Sequence, residues 1–157
     1  MNLDRSNHAS CYNSGYLYVF CGKTTDNTGQ FRKQVYTNTI ERLQIMLNDE
    51  YNYQQNVFWE LITLTDDCNI PSTNIFSVAL NANEILIMGG SISNSDKFAY
   101  TYDIIHKSFR QLSINTPFQY YSSQATNQIA VLEENKIICL AKNCDTEKKV
   151  VLTYQKG

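Results

Sequence analysis

The sequence predicts an all-β fold made of repeated antiparallel units, and two observations support this prediction. Three stretches, residues 8–22, 76–90 and 128–142, align without a gap at offsets of 68 and 52 residues. Each runs from a strand-like segment through a short polar turn into an apolar, β-branched segment, which is the pattern of a β-hairpin. Single residues, most of them aromatic, then follow the hairpins at matching distances. We therefore expect hairpins at residues 9–21, 77–88 and 129–140.

The residues beyond the hairpins extend each unit to four strands. Tyr102 and Tyr154 each lie 12 residues after the end of their stretch, and Phe109 follows Tyr102 by 7 residues. In the first copy Leu43 and Trp59 take the corresponding places, and each interval there is nine residues longer. We expect Trp59 and Phe109 to fill the widening outer part of their units, with Trp59 largely buried. Four short strands in about 50 residues match the size of a β-propeller blade.

The units resemble the kelch repeat of β-propellers. In that repeat an apolar strand ends in a glycine pair, an aromatic residue follows about a dozen positions later, and a tryptophan follows six or seven positions after that. The residues that carry the resemblance are Arg5-Ser6-Asn7-His8, Cys21-Gly22, Trp59, Gly89-Gly90, Tyr102 and Phe109. In the third copy Ala141-Lys142 replaces the glycines, so the resemblance there rests on spacing and hydrophobic alignment. It implies a propeller of four-stranded antiparallel blades over nearly the whole chain.

This resemblance makes the chain one incomplete propeller segment. The first blade would span about residues 5–66, the second about 73–115, and the third about 125–157, where the fourth strand is missing. Closed propellers have roughly four to eight blades, and an open arc of three would expose two apolar faces and an unpaired edge. Three explanations remain open: residues 1–157 are a piece of a longer chain, another subunit completes the blades, or a small partial propeller works inside an assembly.

The composition argues against nucleic-acid and membrane partners. Charged residues make up 18% of the chain and the net charge is −2, so no basic surface for nucleic acid or an anionic membrane is expected. The first residues lack an apolar signal region, and no later run approaches the eighteen apolar residues of a membrane span. We expect a cytoplasmic protein, and its asparagine-rich, protist-like composition points to a cytoskeletal or ciliary assembly.

Few side chains are suited to catalysis or metal binding. The two histidines, His8 and His106, are expected at separate places in the fold, so they would not form a joint site. The five cysteines form no regular framework, and buried thiols are the simplest interpretation. The alternative is a zinc site built from Cys139 and Cys144 with ligands from elsewhere. We expect no catalytic, metal or cofactor site.

The loops carry the candidate partner-binding residues. In a four-stranded blade, the loops between the second and third strands share one face with the loops between blades. On that face the cationic and aromatic candidates are Arg32, Lys33, Phe118, Tyr120 and Tyr121, and on the opposite face a long insertion at 44–58 carries Tyr51 and Tyr53. These residue types are enriched in binding hot spots. The alternative for Phe118 and Tyr120 is that they pack between blades.

The function expected from these observations is a non-enzymatic scaffold for protein–protein interaction, within a larger chain or assembly. Rigid blades would hold loops of varied sequence against a protein partner. The kelch resemblance implies a broad range of partners, including cytoskeletal proteins, substrate-adaptor assemblies and large structural complexes. The alternative is a piece of a kelch-like propeller enzyme, a metal-dependent oxidase or a sugar-processing enzyme. Its site would need converging His, Tyr or carboxylate side chains from blades outside this sequence, because these residues supply only His8 for the innermost strand.

Overall fold

The computed structural model describes residues 4–26, 33–45, 58–65, 75–89, 99–112, 130–133, 136–142 and 149–155. Every regular element within these ranges is a β-strand, and they contain no helix, which confirms the all-β prediction. In chain order the strands are β1 (Arg5–Ser6), β2 (Ala9–Asn13), β3 (Tyr16–Phe20), β4 (Lys23–Asp26), β5 (Lys33–Tyr36), β6 (Ile40–Gln44), β7 (Trp59–Ile62), β8 (Ile75–Asn81), β9 (Glu84–Gly89), β10 (Ala99–Asp103), β11 (Ser108–Gln111), β12 (Ala130–Glu133), β13 (Lys136–Lys142) and β14 (Lys149–Gln155).

Three successive sheets repeat one arrangement. The first sheet has the order β2-β3-β6-β7, the second β8-β9-β10-β11 and the third β12-β13-β14, and every neighbouring pair is antiparallel. The three predicted hairpins are therefore confirmed as β2–β3, β8–β9 and β12–β13. In the first sheet β4 and β5, which belong to another sheet, come between β3 and β6 in the chain. Otherwise the strands of each sheet are consecutive and lie side by side, as in a β-meander.

The pairing register reproduces the spacing seen in the sequence. In each sheet the third strand places its singled-out residue opposite the same aligned position of the second strand. The three pairs are Leu17 with Leu43, Ile85 with Tyr102, and Ile137 with Tyr154. The outer strands add Trp59 opposite Leu43 and Phe109 opposite Tyr102. The first two sheets are therefore equivalent residue by residue over three strands.

The gapless alignment is wrong by one residue in the first strand of the second sheet. In the first sheet Ala9 pairs with Phe20, and in the second Phe76, not Ser77, pairs with the aligned Met88. The cause is a register shift between Ala79 and Asn81, where the strand carries an additional residue. Such a bulge reverses which side each residue faces, so the shift decides which residues enter the core.

A fourth, smaller sheet also differs from prediction. Lys33 was expected in a loop between the second and third strands of the first blade, but it begins β5, which pairs with β4, and β1 also pairs with β4. Residues 5–8 were expected to begin the first blade, but β1 ends at Ser6 and belongs to this other sheet. Asn7 has a left-handed backbone (φ 56°), which turns the chain between β1 and β2.

Two apolar clusters form the core, and one of them joins the first two sheets. The larger one joins one side of the first sheet, with Tyr18 and Phe20, to one side of the second, with Tyr102 and Phe109. The ring centroids of Phe20 and Tyr102 are 5.6 Å apart, in an edge-to-face arrangement. The second cluster lies on the other side of the second sheet, around Leu86 and neighbouring apolar residues. The second sheet is thus apolar on both sides.

The first strands of the three sheets lie next to one another, β2 against β8 and β8 against β12. Side chains of the β2–β3 turn reach the equivalent turn of the second sheet. The Asn13 amide donates to the Asn81 carbonyl oxygen at 2.9 Å, and the Ser14 hydroxyl donates to that of Ala82 at 3.3 Å. The first sheet therefore packs against the second through its first strand and its apolar side, and the second lies beside the third through their first strands.

Candidate protein-interaction surface

One side of the first sheet carries a row of apolar side chains that runs across all four strands. Tyr12 pairs with Leu17, Leu17 with Leu43, and Leu43 with Trp59. Directly paired residues of antiparallel strands project to the same side of a sheet. Leu61, two residues beyond Trp59 on the same strand, joins them because side chains alternate with a period of two. We call the side formed by Tyr12, Leu17, Leu43, Trp59 and Leu61 the open face.

The open face is substantially exposed to solvent. Tyr12 is 51% exposed and Leu61 is 52% exposed, and the other three members are partly exposed. Trp59 is thus less buried than the sequence predicted. The opposite side of the same sheet, with Tyr18 at 1% and Phe20 at 0%, packs against the second sheet. Within the described part of the chain no sheet covers the open face.

The equivalent positions of the second sheet are buried. Ile85 corresponds to Leu17 in the repeat alignment, Tyr102 to Leu43 and Phe109 to Trp59. Ile85 is 0% exposed, Tyr102 1% and Phe109 8%, because the first sheet covers them. The open face therefore has the position and apolar character of a surface that is covered by a preceding sheet elsewhere in this same chain.

A buried ion pair occupies one end of the side of the first sheet that carries the open face. Glu41, which pairs with Leu61, is 0% exposed, and its carboxylate accepts a hydrogen bond from the Arg5 guanidinium at 2.9 Å. Arg5 also donates to the carbonyl oxygens of Cys21 and Thr39, at 3.0 and 3.1 Å. Glu41 corresponds to Tyr100 of the second sheet, because both lie opposite the same aligned residue of the second strand. A buried ion pair thus stands where the next sheet has an aromatic residue.

The chain approaches itself closely beside this ion pair. Gly22 has a φ of +111°, and a Cβ built on it would lie 2.8 Å from the Ser6 carbonyl oxygen. The glycine that the kelch resemblance singled out therefore lets β1 pass close to the end of β3. This close approach of β1 brings the Arg5 guanidinium within hydrogen-bonding distance of the Glu41 carboxylate.

The residues that the sequence proposed for partner binding mostly fall elsewhere. Lys33 is exposed at the start of β5, opposite Asp26. The other candidates lie outside the described residues: Arg32, Tyr51, Tyr53, Phe118, Tyr120 and Tyr121. The structure therefore brings none of them together, and the open face is a different surface. Leu43 was singled out by its spacing from the hairpin and Trp59 as a blade-filling residue, whereas Tyr12, Leu17 and Leu61 were given no such role.

The histidines and the described cysteines are placed as structural groups. His8 is partly buried, and burial lowers its pKa. The His106 ring, in the β10–β11 turn, lies 2.9 Å from the Asp103 carboxylate. Burial raises the pKa of Cys11 to about 11 and that of Cys21 to about 12, which keeps both thiols protonated at neutral pH. In the described ranges no three metal-ligating side chains cluster, and Cys144 lies outside them.

Comparisons with other proteins add no family assignment. No protein-family model matches the chain, and no curated protein matches its sequence. Among the described residues no helix is long and apolar enough to span a bilayer.

Proposed function

We propose that this chain is a kelch-type propeller segment that serves as a non-enzymatic scaffold for protein–protein interaction, within a larger chain or assembly. The exposed apolar row of the open face carries the proposal. A protein that binds across this face would remove Tyr12 and Leu61 from water and cover the partly exposed Leu43 and Trp59. Burial of apolar area is the main source of favourable free energy in such contacts.

The arrangement of the sheets supports the propeller part of the proposal. Blades of a propeller are four-stranded antiparallel sheets placed radially around an axis. Here two sheets have four strands, a third has three among the described residues, and the first strands β2, β8 and β12 follow one another side by side. First strands in that relation are expected at the axis of a propeller.

The scaffold part of the proposal follows from rigidity. The first two sheets share a core in which the rings of Tyr18, Tyr102 and Phe109 contact one another, with centroid distances of 6.3 and 5.2 Å. Hydrogen bonds from Asn13 to Asn81 and from Thr65 to Lys107 also join these two sheets. Surfaces and loops on such a frame keep their relative positions, so binding loses little conformational freedom.

The test is affinity capture from cells of the source organism, with quantitative mass spectrometry of the bound proteins. The bait is the tagged chain, either wild type or carrying Leu61→Lys, which places a charge in the open face. The matched control is Ile105→Lys, since Ile105 is also an exposed aliphatic residue, at 65%, but belongs to the β10–β11 turn of the second sheet.

We expect proteins that bind the wild type and Ile105→Lys but not Leu61→Lys, with untagged copies of the chain counted separately. A bait that captures no protein of either kind, its own copies included, would contradict the scaffold proposal.

A further inference from the structure

We propose that His8 holds β1 against the first sheet while its ring is neutral, and that protonation of the ring in mildly acidic solution releases β1. Release would break the Arg5–Glu41 ion pair and detach this edge of the small sheet, whether or not the chain acts as a scaffold.

His8 lies at the junction between β1 and β2, where two parts of the chain come close together. A Cβ built on Gly22 would lie 3.1 Å from the His8 Cβ and 2.8 Å from the Ser6 carbonyl oxygen. Asn7, just before His8, has a left-handed backbone, which is uncommon for residues other than glycine. The base of the His8 side chain is therefore held close to the segment that joins β3 to β4.

The surroundings of the His8 ring suit its neutral form. Its Nδ1 atom is buried and has no hydrogen-bond partner. A neutral ring can leave Nδ1 without a proton, whereas a protonated ring carries a proton on both nitrogens. A buried N–H of a cation that lacks an acceptor is costly. Protonation therefore favours a position of the ring in water over its place beside β3.

The charges around His8 also disfavour a second cation. The described elements next to it carry Asp4 and Arg5 at β1, Cys21 just after β3, Lys23 on β4 and Glu41 on β6. Asp4 is exposed to solvent, and the Glu41 carboxylate accepts a hydrogen bond from the buried Arg5 guanidinium. Arg5 carries donors only, so it cannot accept a proton from the His8 ring. An imidazolium here would lie beside a guanidinium that is already buried.

These effects set the direction of the pH dependence. Burial lowers the pKa of His8, a hydrogen bond to the Arg5 backbone opposes that shift, and the Arg5 charge adds to it. The ring therefore binds a proton less readily when β1 is in place than when β1 is free, where the ordinary value of 6.5 applies. The attachment of β1 is thus fully present above pH 6.5 and weakens as the pH falls below that value.

β1 is the element that such a change can move. It has two residues and lies at the edge of the small sheet, and short edge elements open locally at low cost. Its release would take the Arg5 guanidinium away from Glu41, which pairs with Leu61 of the open face. In mild acid the apolar open face would therefore gain a carboxylate without its cation at one end.

Trypsin cleavage after Arg5 measures the release directly. The Arg5 side chain is 0% exposed, so the bond to Ser6 can be cut only when β1 opens. Intact mass spectrometry counts chains that have lost residues 1–5 and are otherwise whole. The rate is divided by that of a synthetic peptide of residues 1–13 at the same pH, which removes the pH dependence of the protease. When opening is fast, this ratio follows the population of the open form.

We expect the ratio to rise at least about threefold, and up to about tenfold, from pH 7.5 to pH 5.5, because a free ring goes from about one-tenth to about nine-tenths protonated over this range. Ordinary carboxyl groups titrate near pH 4, below the range used. His8→Gln, which cannot be protonated, should give a constant ratio. His106→Gln is the matched control, since His106 lies in the β10–β11 turn of the second sheet, and it should behave like the wild type.

A titration of the wild type by NMR decides the proposal even if His8→Gln fails to fold. The two histidine rings give separate signals, assigned with His106→Gln, and the midpoint of His8 should lie below 6.5. A midpoint at or above 6.5, a wild-type ratio that does not change with pH, or an equal rise in His8→Gln would each overturn the role of His8. None of these results bears on partner capture through the open face at neutral pH, which tests the scaffold separately.

Discussion

Arg5 and Glu41 form the most deeply buried ion pair among the described residues. Both side chains are 0% exposed, which is costly for charged groups unless hydrogen bonds replace their water. Arg5 makes hydrogen bonds to the Glu41 carboxylate, to the Thr39 hydroxyl and to two carbonyl oxygens. These contacts join β1 to the ends of β3 and β6. The pair therefore attaches the small sheet to the first sheet.

Removing one partner of this pair should be far more harmful than removing both. Arg5→Met leaves the Glu41 carboxylate buried without its cation, and we expect a loss of about 3–5 kcal/mol of unfolding free energy. The double variant Arg5→Met, Glu41→Leu should regain most of that loss, because no buried charge remains. Urea denaturation of the two variants and the wild type measures both effects. A single variant that loses less than about 1 kcal/mol would show that the pair is not buried as described.

Gly22 and Gly15 offer a matched test of close backbone approach. Both have positive φ, +111° and +85°, but a Cβ on Gly15 would meet no atom within 4 Å, whereas one on Gly22 would meet Ser6. Gly15→Ala should therefore lose about 1 kcal/mol from backbone strain alone. Gly22→Ala should lose clearly more, because β1 must also move away. Equal losses in thermal or urea unfolding would contradict the close approach.

The buried thiols of Cys11 and Cys21 should make the free energy of unfolding depend on pH in the alkaline range. The pKa of Cys11 is raised to about 11 and that of Cys21 to about 12, from 9.0, because burial disfavours the thiolate. Below pH 9 the thiols are protonated in both the folded and unfolded states, and the stability contribution is fully present. Above it the unfolded chain loses these protons first, so stability falls as pH rises toward the folded pKa values.

We therefore expect the urea midpoint to drop between neutral pH and about pH 10. A variant with Cys11→Ala and Cys21→Ala should show a smaller drop. Native Cys21 should also resist iodoacetamide at neutral pH, located by peptide mass spectrometry, because its side chain is buried and protonated. Rapid labelling of Cys21 under native conditions would contradict its placement.

At the level of strands, the sequence predicted the hairpins and their partners because these depend on alternation and spacing. Leu43, Tyr102 and Tyr154 were picked out by distance from the hairpins, and each lies opposite the aligned residue of its second strand. The bulge between Ala79 and Asn81 was not predicted, since an additional residue in one strand leaves the apolar pattern of its partner intact.

The small sheet and the open face were harder to predict for different reasons. β4 and β5 contain strand-favouring Thr, Val and Tyr, but each has four residues, begins with Lys and lacks an apolar run, so this pattern did not distinguish them from a loop. Tyr12 and Leu61 are recognisable as surface residues only when the register is known, because a shift of one residue reverses the side of every residue in a strand. The proposed binding residues were chosen by type, and most lie outside the described ranges.

Trp59 and Phe109 occupy equivalent positions with different burial, which gives a direct test of sheet equivalence. Phe109 is 8% exposed and contacts Tyr102 at a centroid distance of 5.2 Å, whereas Trp59 is partly exposed on the open face. Phe109→Ala should lose about 3–5 kcal/mol and Trp59→Ala about 1–2 kcal/mol of unfolding free energy in chemical denaturation. A larger loss for Trp59 would mean that other parts of the chain cover it.

At the scale of the whole molecule, the three larger sheets of the described residues form an ordered series. The second sheet has apolar clusters on both sides, while the first presents a core side and the partly exposed open face. The position of a sheet in the series therefore determines how its apolar side is covered.

The open face should bind a hydrophobic dye. Tyr12 is 51% exposed and Leu61 is 52% exposed, so the wild type should raise the fluorescence of such a dye. Leu61→Lys should lower this fluorescence, whereas Ile105→Lys, in the β10–β11 turn, should lower it less. Equal dye fluorescence for the wild type and Leu61→Lys would contradict the exposure of the open face.

The contacts of the first sheet also set an order of events during synthesis on the ribosome. Of these residues Arg5 emerges first, and its acceptors Cys21, Thr39 and Glu41 follow within 36 residues, so the ion pair can form before β7 completes the first sheet. Tyr18 must wait for Tyr102, which is made 84 residues later. At about 5–20 residues per second, that interval lasts roughly 4–17 seconds. During it the side of the nascent first sheet that carries Tyr18 and Phe20 is not yet covered by the second sheet, so this is the period in which a chaperone would be needed most.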